Sequence, residues 1–227
     1  MALVDYSLED GVATIAMDDG KVNVLSPAML GEISSALDRA ETDGAIVLIT
    51  GREQTLSAGF DLKCPPEQAA EMIGGGARLA ERLLSFPSPV VAACNGNAIA
   101  MAAFMLLCSD VRIGVDGNFR IGLNEVAIGL TVPWFGIAVA RHRLAPPYFD
   151  RCAVTAAMLG PEEAVRAGFL DRLVAADELR GEALGAASEL KQLKMDAHRA
   201  TKLRVRADVL EGVRDGVERI GSPDREW

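Results

Sequence analysis

The chain has 227 residues, half of them hydrophobic and about a quarter charged, which suits a soluble enzyme with a substantial core. Its formal net charge of −9 offers no broad positive surface to phosphates and argues against a nucleic-acid partner. Cys64, Cys94, Cys108 and Cys152 form no CxxC pair in a chain with two histidines, which speaks against zinc or a disulfide framework and for a reducing cytoplasm.

The N-terminal stretch MALVDYSLED carries acids and no basic region ahead of an apolar one, so it is not read as a signal peptide. Val12–Met17 is β-rich, and after the turn Asp18-Asp19-Gly20 the segment Val22-Asn23-Val24 is expected to be extended. Ser26-Pro27 has the form of an N-cap followed by proline at the first helical position. Met29, Leu30, Ile33, Ala36, Leu37 and Ala40 then recur at helical spacing and predict one buried helix face. The continuous apolar run Ala45–Thr50 predicts a strand covered on both sides. A loop holding Ser57-Ala58-Gly59-Phe60-Asp61 leads into a helix that ends near Phe86. Its Gly74-Gly75-Gly76 lacks phosphate-loop spacing and is expected to be a flexible break near a site.

Leu83 to Ser109 contains no Asp, Glu, Lys, Arg or His, but Pro87, Pro89 and Asn95-Gly96-Asn97 divide it into pieces too short to span a bilayer. It predicts a buried strand, Val90–Cys94, a tight turn and an apolar helix from Ile99 to Cys108. Strands are expected at Val111–Gly114 and Phe119–Ile121. Gly160-Pro161-Glu162-Glu163 starts a short helix that Gly168 ends, and Glu178 to Ile220 is mainly helical. The alternation indicates one α/β domain with a helical C-terminal extension.

Glu125, in IGLNEVAIGL at 121–130, is the only charged side chain between Arg120 and Arg141. An ionised carboxylate is costly to bury alone, so such a residue is exposed, paired or chemically employed. No GxSxG elbow is present, and neither His142 nor His198 has an evident Ser or Cys partner, which argues against serine-type acyl transfer. The passage from strand to apolar helix after Asn95-Gly96 aims free helical N–H groups into the interior, and the loop Ser57–Phe60 can offer another. Two converging N–H donors make an oxyanion hole.

KVNVLS at 21–26, SAGFDLK at 57–63, ACNGNAIA at 93–100, Cys108-Ser109-Asp110, IGLNEVAIGLTVP at 121–133 and LGPEEAVRAGFLDRLV at 159–174 together resemble the crotonase superfamily of enoyl-CoA hydratases and isomerases. The likeness runs from about residue 3 to residue 175. It implies a crotonase-like (ClpP/crotonase) α/β spiral of ββα units over 1–175. It also implies a helical extension over 176–227 involved in trimerisation, with assembly as a homotrimer or hexamer. It further implies an acyl-CoA thioester substrate and no separate cofactor, since coenzyme A belongs to the substrate, and neither nucleic acid nor membrane is an expected partner. By position the oxyanion donors are the N–H groups of Phe60 and Met101, the latter within Ala100-Met101-Ala102 where the family commonly has three glycines.

Hydratases of the family use two glutamates. One falls at Glu125 and the other at Phe104, which can neither hold water nor move a proton. GLNE with the following Val132-Pro133-Trp134-Phe135 is instead similar to the mitochondrial-type Δ3,Δ2-enoyl-CoA isomerases, which work with one glutamate. A hydratase, or an acyl-CoA-binding homologue without turnover, are the alternatives. The resemblance also implies roles for Ala58 and Lys63 at the CoA moiety and for Phe104, Trp134 and Phe135 around the acyl chain, with Asp61 bracing its loop. Lys191, Lys194, His198, Lys202 and Arg206 share a helical face, read either as solvated surface or as a contact for CoA phosphates.

Overall fold

The computed structural model describes residues 2–220; residues 221–227 of the expected extension lie outside the described residues. β1 (Val4–Glu9) and β2 (Val12–Met17) form an antiparallel hairpin through Asp10-Gly11, both at positive φ as a two-residue turn requires. The chain does not run extended through Val22–Val24. It winds about the Asp19 carboxylate, which accepts from the N–H groups of Lys21, Asn23 and Val24. Asn23 sits at φ 54°, fully buried, and its amide donates to the carbonyls of Met17 and Leu56. That hydrogen bonding overrides the β-propensity of the two valines.

α1 (Pro27–Thr42) starts as expected, with Ser26 Oγ accepting from Met29 N at 3.2 Å, and buries the six apolar residues that the periodicity singles out. Three turns of one unit follow. β3 (Ile46–Thr50), β4 (Gln54–Ser57) and α2 (Pro66–Ser85) make the first; β5 (Val90–Cys94), β6 (Gly96–Ile99) and α3 (Met101–Cys108) the second. β7 (Val111–Val115), β8 (Ile121–Gly122), a 3-10 turn at Val126–Ile128 and α4 (Trp134–Arg143) make the third. In each unit the first strand joins a large sheet and the second a small one. The large sheet has the order β1-β2-β3-β5-β7-β9, parallel apart from the first hairpin, and the small sheet is β4-β6-β8, all parallel. This is the expected spiral of ββα units.

Two boundaries differ from expectation. Residues 96–99 are a strand of the small sheet, so the apolar helix begins at Met101 rather than Ile99, and Phe119-Arg120 lies outside β8. α5 (Pro146–Ala153), α6 (Pro161–Ala167), which ends on Gly168 at φ 98°, and β9 (Arg172–Val174) complete the spiral. α7 (Leu179–Leu190) covers the second face of the large sheet, where Leu179, Ala183 and Ala187 pack on Val12, Ile46, Leu48, Val91, Ala93 and Ile113. The opposite faces of the same strands, through Ile15, Val47, Ile49 and Ala92, join the main core. α8 (Met195–Val205) and α9 (Ala207–Ile220) return to the body, and α9 lies so close to α4 that a Cβ on Gly216 would stand 2.6 Å from Phe135 N.

Asp110 fastens this return. Its carboxylate accepts from Val90 N at 2.7 Å and from the buried Lys202 Nζ at 2.6 Å, and it pairs with the buried Arg206 at 2.8 Å. Asp110→Ala would leave two buried cations without a counter-charge. Urea unfolding is expected to show a loss of about 3–5 kcal/mol, larger than any exposed ion pair contributes.

Candidate active site

Because β4, β6 and β8 are parallel neighbours, the loops that leave their C-terminal ends emerge on one edge of the small sheet. Such an edge is where parallel sheets gather ligands. From β4 comes Ala58-Gly59-Phe60. Gly59 is buried at φ 86°, and a Cβ there would stand 2.8 Å from Ile99 O and 2.9 Å from Ala100 Cβ. The two loops therefore touch backbone to backbone. Their positions are pinned on both sides. Gly59 N donates to Ser57 Oγ, Leu25 N donates to Gly59 O, and Ala100 N donates to Gly122 O at 2.9 Å. Between these bonds, no acceptor among the described residues engages the N–H of Phe60 or of Met101. Met101 opens α3, so its N–H also lies at the positive end of the helix dipole.

Met101 itself is helical, and the departure from glycine is felt one residue earlier. Ala100 has φ 53° and ψ −118°, a conformation that an L side chain adopts only under strain. α2 does not break at Gly74-Gly75-Gly76 but runs through it. A Cβ on Gly76 would meet Phe60 Cζ at 2.4 Å and Met101 Sδ at 3.1 Å, so this glycine seats the side chains of both N–H residues. The cause is packing, not flexibility. The signal was available, since Met72, Gly76, Leu79, Ala80 and Leu83 lie on one helical stripe.

β8 delivers Glu125 at the same edge, three residues after Gly122. Its carbonyl accepts from Ile128 N and Leu130 N, which closes the short turn, and its side chain is 7% exposed. Oε2 is shut off from solvent and meets no hydrogen-bond donor of the protein. Desolvation raises the carboxyl pKa above the ordinary glutamate value, opposed only by a bond from its own N–H. Among the described residues Glu125 is the only buried acid, and the buried cations Arg112, Lys202 and Arg206 are all ion-paired elsewhere. The neighbouring Asn124 also has a buried Oδ1 without a partner, a feature the sequence did not announce.

Other expected site residues fall in different places. Ala58 and Lys63 are exposed on the loop around Phe60, and Asp61 braces it by accepting from Lys63 N at 2.9 Å. Phe104, 1% exposed, packs edge-on against Phe135 with ring centroids 5.8 Å apart, and a Cβ on Gly136 would stand 2.5 Å from its ring. Phe104 and Phe135 are thus core between α3 and α4. Trp134 is half exposed and lies under the Arg219 guanidinium, lining the groove between α4 and α9. The apolar residue after Pro133 starts a helix, and its phase points outward. The expected basic face is likewise broken up. Lys202 and Arg206 are buried on Asp110, and Lys191 Nζ donates to Asp10 O. No group of metal-ligating side chains occurs among the described residues, and no helix there is long and apolar enough to cross a membrane.

The Enoyl-CoA hydratase/isomerase family profile matches residues 7–216. An enoyl-CoA hydratase/isomerase family protein from Pseudomonas syringae is similar at 47% identity and a TM-score of 0.93, covering 95% of each chain. The Mycobacterium tuberculosis enoyl-CoA isomerase is similar at 42% identity and a TM-score of 0.94, covering 98% of this chain and 99% of that one. A Bacillus subtilis protein named "Probable enoyl-CoA hydratase" is 30% identical over 142 residues, 60% of this chain and 54% of that one, so the chain spans about half that relative's length.

Two stability measurements test this geometry. Ala100→Gly removes the strained side chain and is expected to raise stability by about 1 kcal/mol in urea unfolding, the relief of strain outweighing glycine's added unfolded-state entropy. Glu125 titrates higher in the fold than its ordinary 4.5, so the fold holds the proton more tightly than the unfolded chain does. That stabilisation is fully present below the unfolded value and is lost as pH rises through the folded one. Glu125→Gln should therefore be more stable than native protein at about pH 7.5, with the gap closing on acidification to about pH 4.

Proposed function

The chain belongs to the enoyl-CoA hydratase/isomerase family, and we propose that within it the protein is a Δ3,Δ2-enoyl-CoA isomerase. The observation that carries this reading is the solitary, desolvated carboxylate of Glu125, whose Oε2 meets no donor of the protein. The substrate is an acyl-CoA thioester whose carbonyl oxygen accepts from the N–H groups of Phe60 and Met101. Their hydrogen bonds strengthen as the carbonyl becomes an enolate, which lowers the barrier to removing a proton from C2. Glu125 takes that proton. The C3–C4 double bond moves to C2–C3, and the carboxyl returns the proton at C4, leaving the enzyme and the atom count unchanged. A carboxyl with a raised pKa serves both steps, being basic enough to accept and acidic enough to donate.

One further point supports an isomerase: Phe104, in place of a second carboxylate, is locked in aromatic packing. The similar M. tuberculosis protein is called both an isomerase and a probable hydratase and favours neither reading. The exposed Ala58 and Lys63, beside Phe60, are suited to meeting the CoA moiety outside the reacting centre. Hydration is the second reading, favoured by the name of the B. subtilis relative. It calls for a positioned water and proton transfer at two carbons, for which the described residues supply one buried acid.

The two readings separate in one assay. Native protein given 3-enoyl-CoA or 2-enoyl-CoA, with products followed by chromatography and mass, is expected to isomerise at least about a hundredfold faster than it hydrates, a barrier gap of about 2.7 kcal/mol. Glu125→Gln should lower isomerisation by about 10²–10⁴-fold while acyl-CoA affinity by calorimetry stays within about tenfold. Efficient hydration by native protein would reverse the choice of reaction, and near-native turnover by the variant would move the base elsewhere.

A further inference from the structure

At the far end of α3, an open groove of about 480 Å³ lies between α8, Arg143 of α4 and Asp110. Four basic side chains line it, Arg143, Lys194, Lys202 and Arg206, together with His198, against the single carboxylate of Asp110; burial pulls the Lys202 pKa down to about 8. In a chain of net charge −9 this is a local reversal of sign. Asp110 is already engaged by Lys202, Arg206 and Val90 N. No ion pair among the described residues involves Arg143 or Lys194. Arg143 gives Nε and Nη2 to the carbonyls of Leu107 and Ser109, so its Nη1 is uncommitted. Burial, with the cations Arg112 and Arg206 nearby, pulls its pKa down to about 10 against the opposing carboxylates of Asp171 and Asp110. His198 Nε2 is enclosed without a hydrogen-bond partner. A buried polar atom in that state calls for a ligand or a water.

We propose that this groove is a binding site for a phosphate-class oxyanion, held by Arg143, Lys194, His198 and Lys202. A compact dianion matches both the excess of charge and the number of N–H donors better than chloride or a carboxylate does. Thr201 contributes a hydroxyl to the same wall. The eight residues of α3 separate this site from Met101 by about 12 Å, so it is not the place where a thioester carbonyl would bind. The same chemistry can come from free inorganic phosphate or from a phosphate borne by a nucleotide, and the two are distinguished by the probe that binds.

The chain has two histidines, which makes imidazole NMR a direct readout. His142 lines the groove between α4 and α9 and serves as the internal control. Native protein is titrated with sodium phosphate, with adenosine 3′,5′-bisphosphate, and with sodium chloride at matched ionic strength. Expected are a saturable shift of the His198 resonances with one of the phosphates, a rise in the His198 pKa as the bound anion favours imidazolium, and little change at His142. Saturation by inorganic phosphate identifies the free ion as ligand; saturation by the bisphosphate alone identifies the nucleotide-borne group. Lys194→Ala, on an exposed position, should weaken binding about tenfold, the loss expected of one charged hydrogen bond. A His198 response equal in chloride, or undiminished in Lys194→Ala, would overturn the site. Neither result bears on the isomerase reading.

Discussion

A helix buried on every side must have both ends satisfied, and much of this molecule is arranged around that demand in α3. All eight of its residues are buried and apolar, so it has no exposed face through which water could relieve its terminal groups. At the C-terminal end the protein does so itself. Arg143 takes the carbonyls of Leu107 and Ser109, Arg206 reaches that of Cys108, and Ser109 bonds those of Met105 and Leu106. The cations also suit the negative end of the dipole. At the N-terminal end Met101 is left with a free N–H on an edge where two other loops converge. The helix is closed at one pole and open at the other, and Arg206, which helps close it, also ties the end of α8 to the body through Asp110.

The readable parts of the fold were those where burial and periodicity agree. The α1 stripe, the double-sided β3 and β5, and the Gly160–Gly168 helix with its proline start and glycine stop all follow from residue spacing. The unreadable parts are the short strands of the small sheet. Two to four residues give no period, and Asn95-Gly96-Asn97 has the composition of a turn although Gly96 and Asn97 begin a strand. Gly96 is there because a Cβ would lie 2.0 Å from the carbonyl of Gln54 in the neighbouring strand. Glu125 stood out as a lone acid in an apolar run, whereas the lack of a protein donor at its Oε2 is a tertiary property. The N–H donors carry no side-chain signature; the strand-to-helix passage after Asn95-Gly96 and the loop Ser57–Phe60 marked their neighbourhood, and the resemblance narrowed them to Phe60 and Met101. The basic face on α8 was only partly legible, because helical phase shows which residues share a side, not whether an acid such as Asp110 waits opposite Lys202 and Arg206.

The site gathers conformations and charges that the fold alone would avoid. Glu125 is held where ionisation is unfavourable, and Ala100 is held where only glycine is at ease. Both are over-determined by their surroundings, Glu125 by the turn its carbonyl closes and Ala100 by the bond from its N–H to Gly122. Local disagreement with folding rules is what a working site is expected to show, the remainder of the structure supplying the stability.

The placement of α7 has a consequence for how the protein is made. The large sheet is complete in sequence once β9 has been synthesised, yet one of its faces stays bare until Leu179, Ala183 and Ala187 arrive to cover it. A chain emerging from the ribosome therefore exposes the row of Val12, Ile46, Leu48, Val91 and Ile113 until α7 has been made. That interval is when parallel strands are most open to wrong pairing and to capture by chaperones. Closure of the sheet belongs to the final stretch of translation, and the order of the helices along the chain sets its timing.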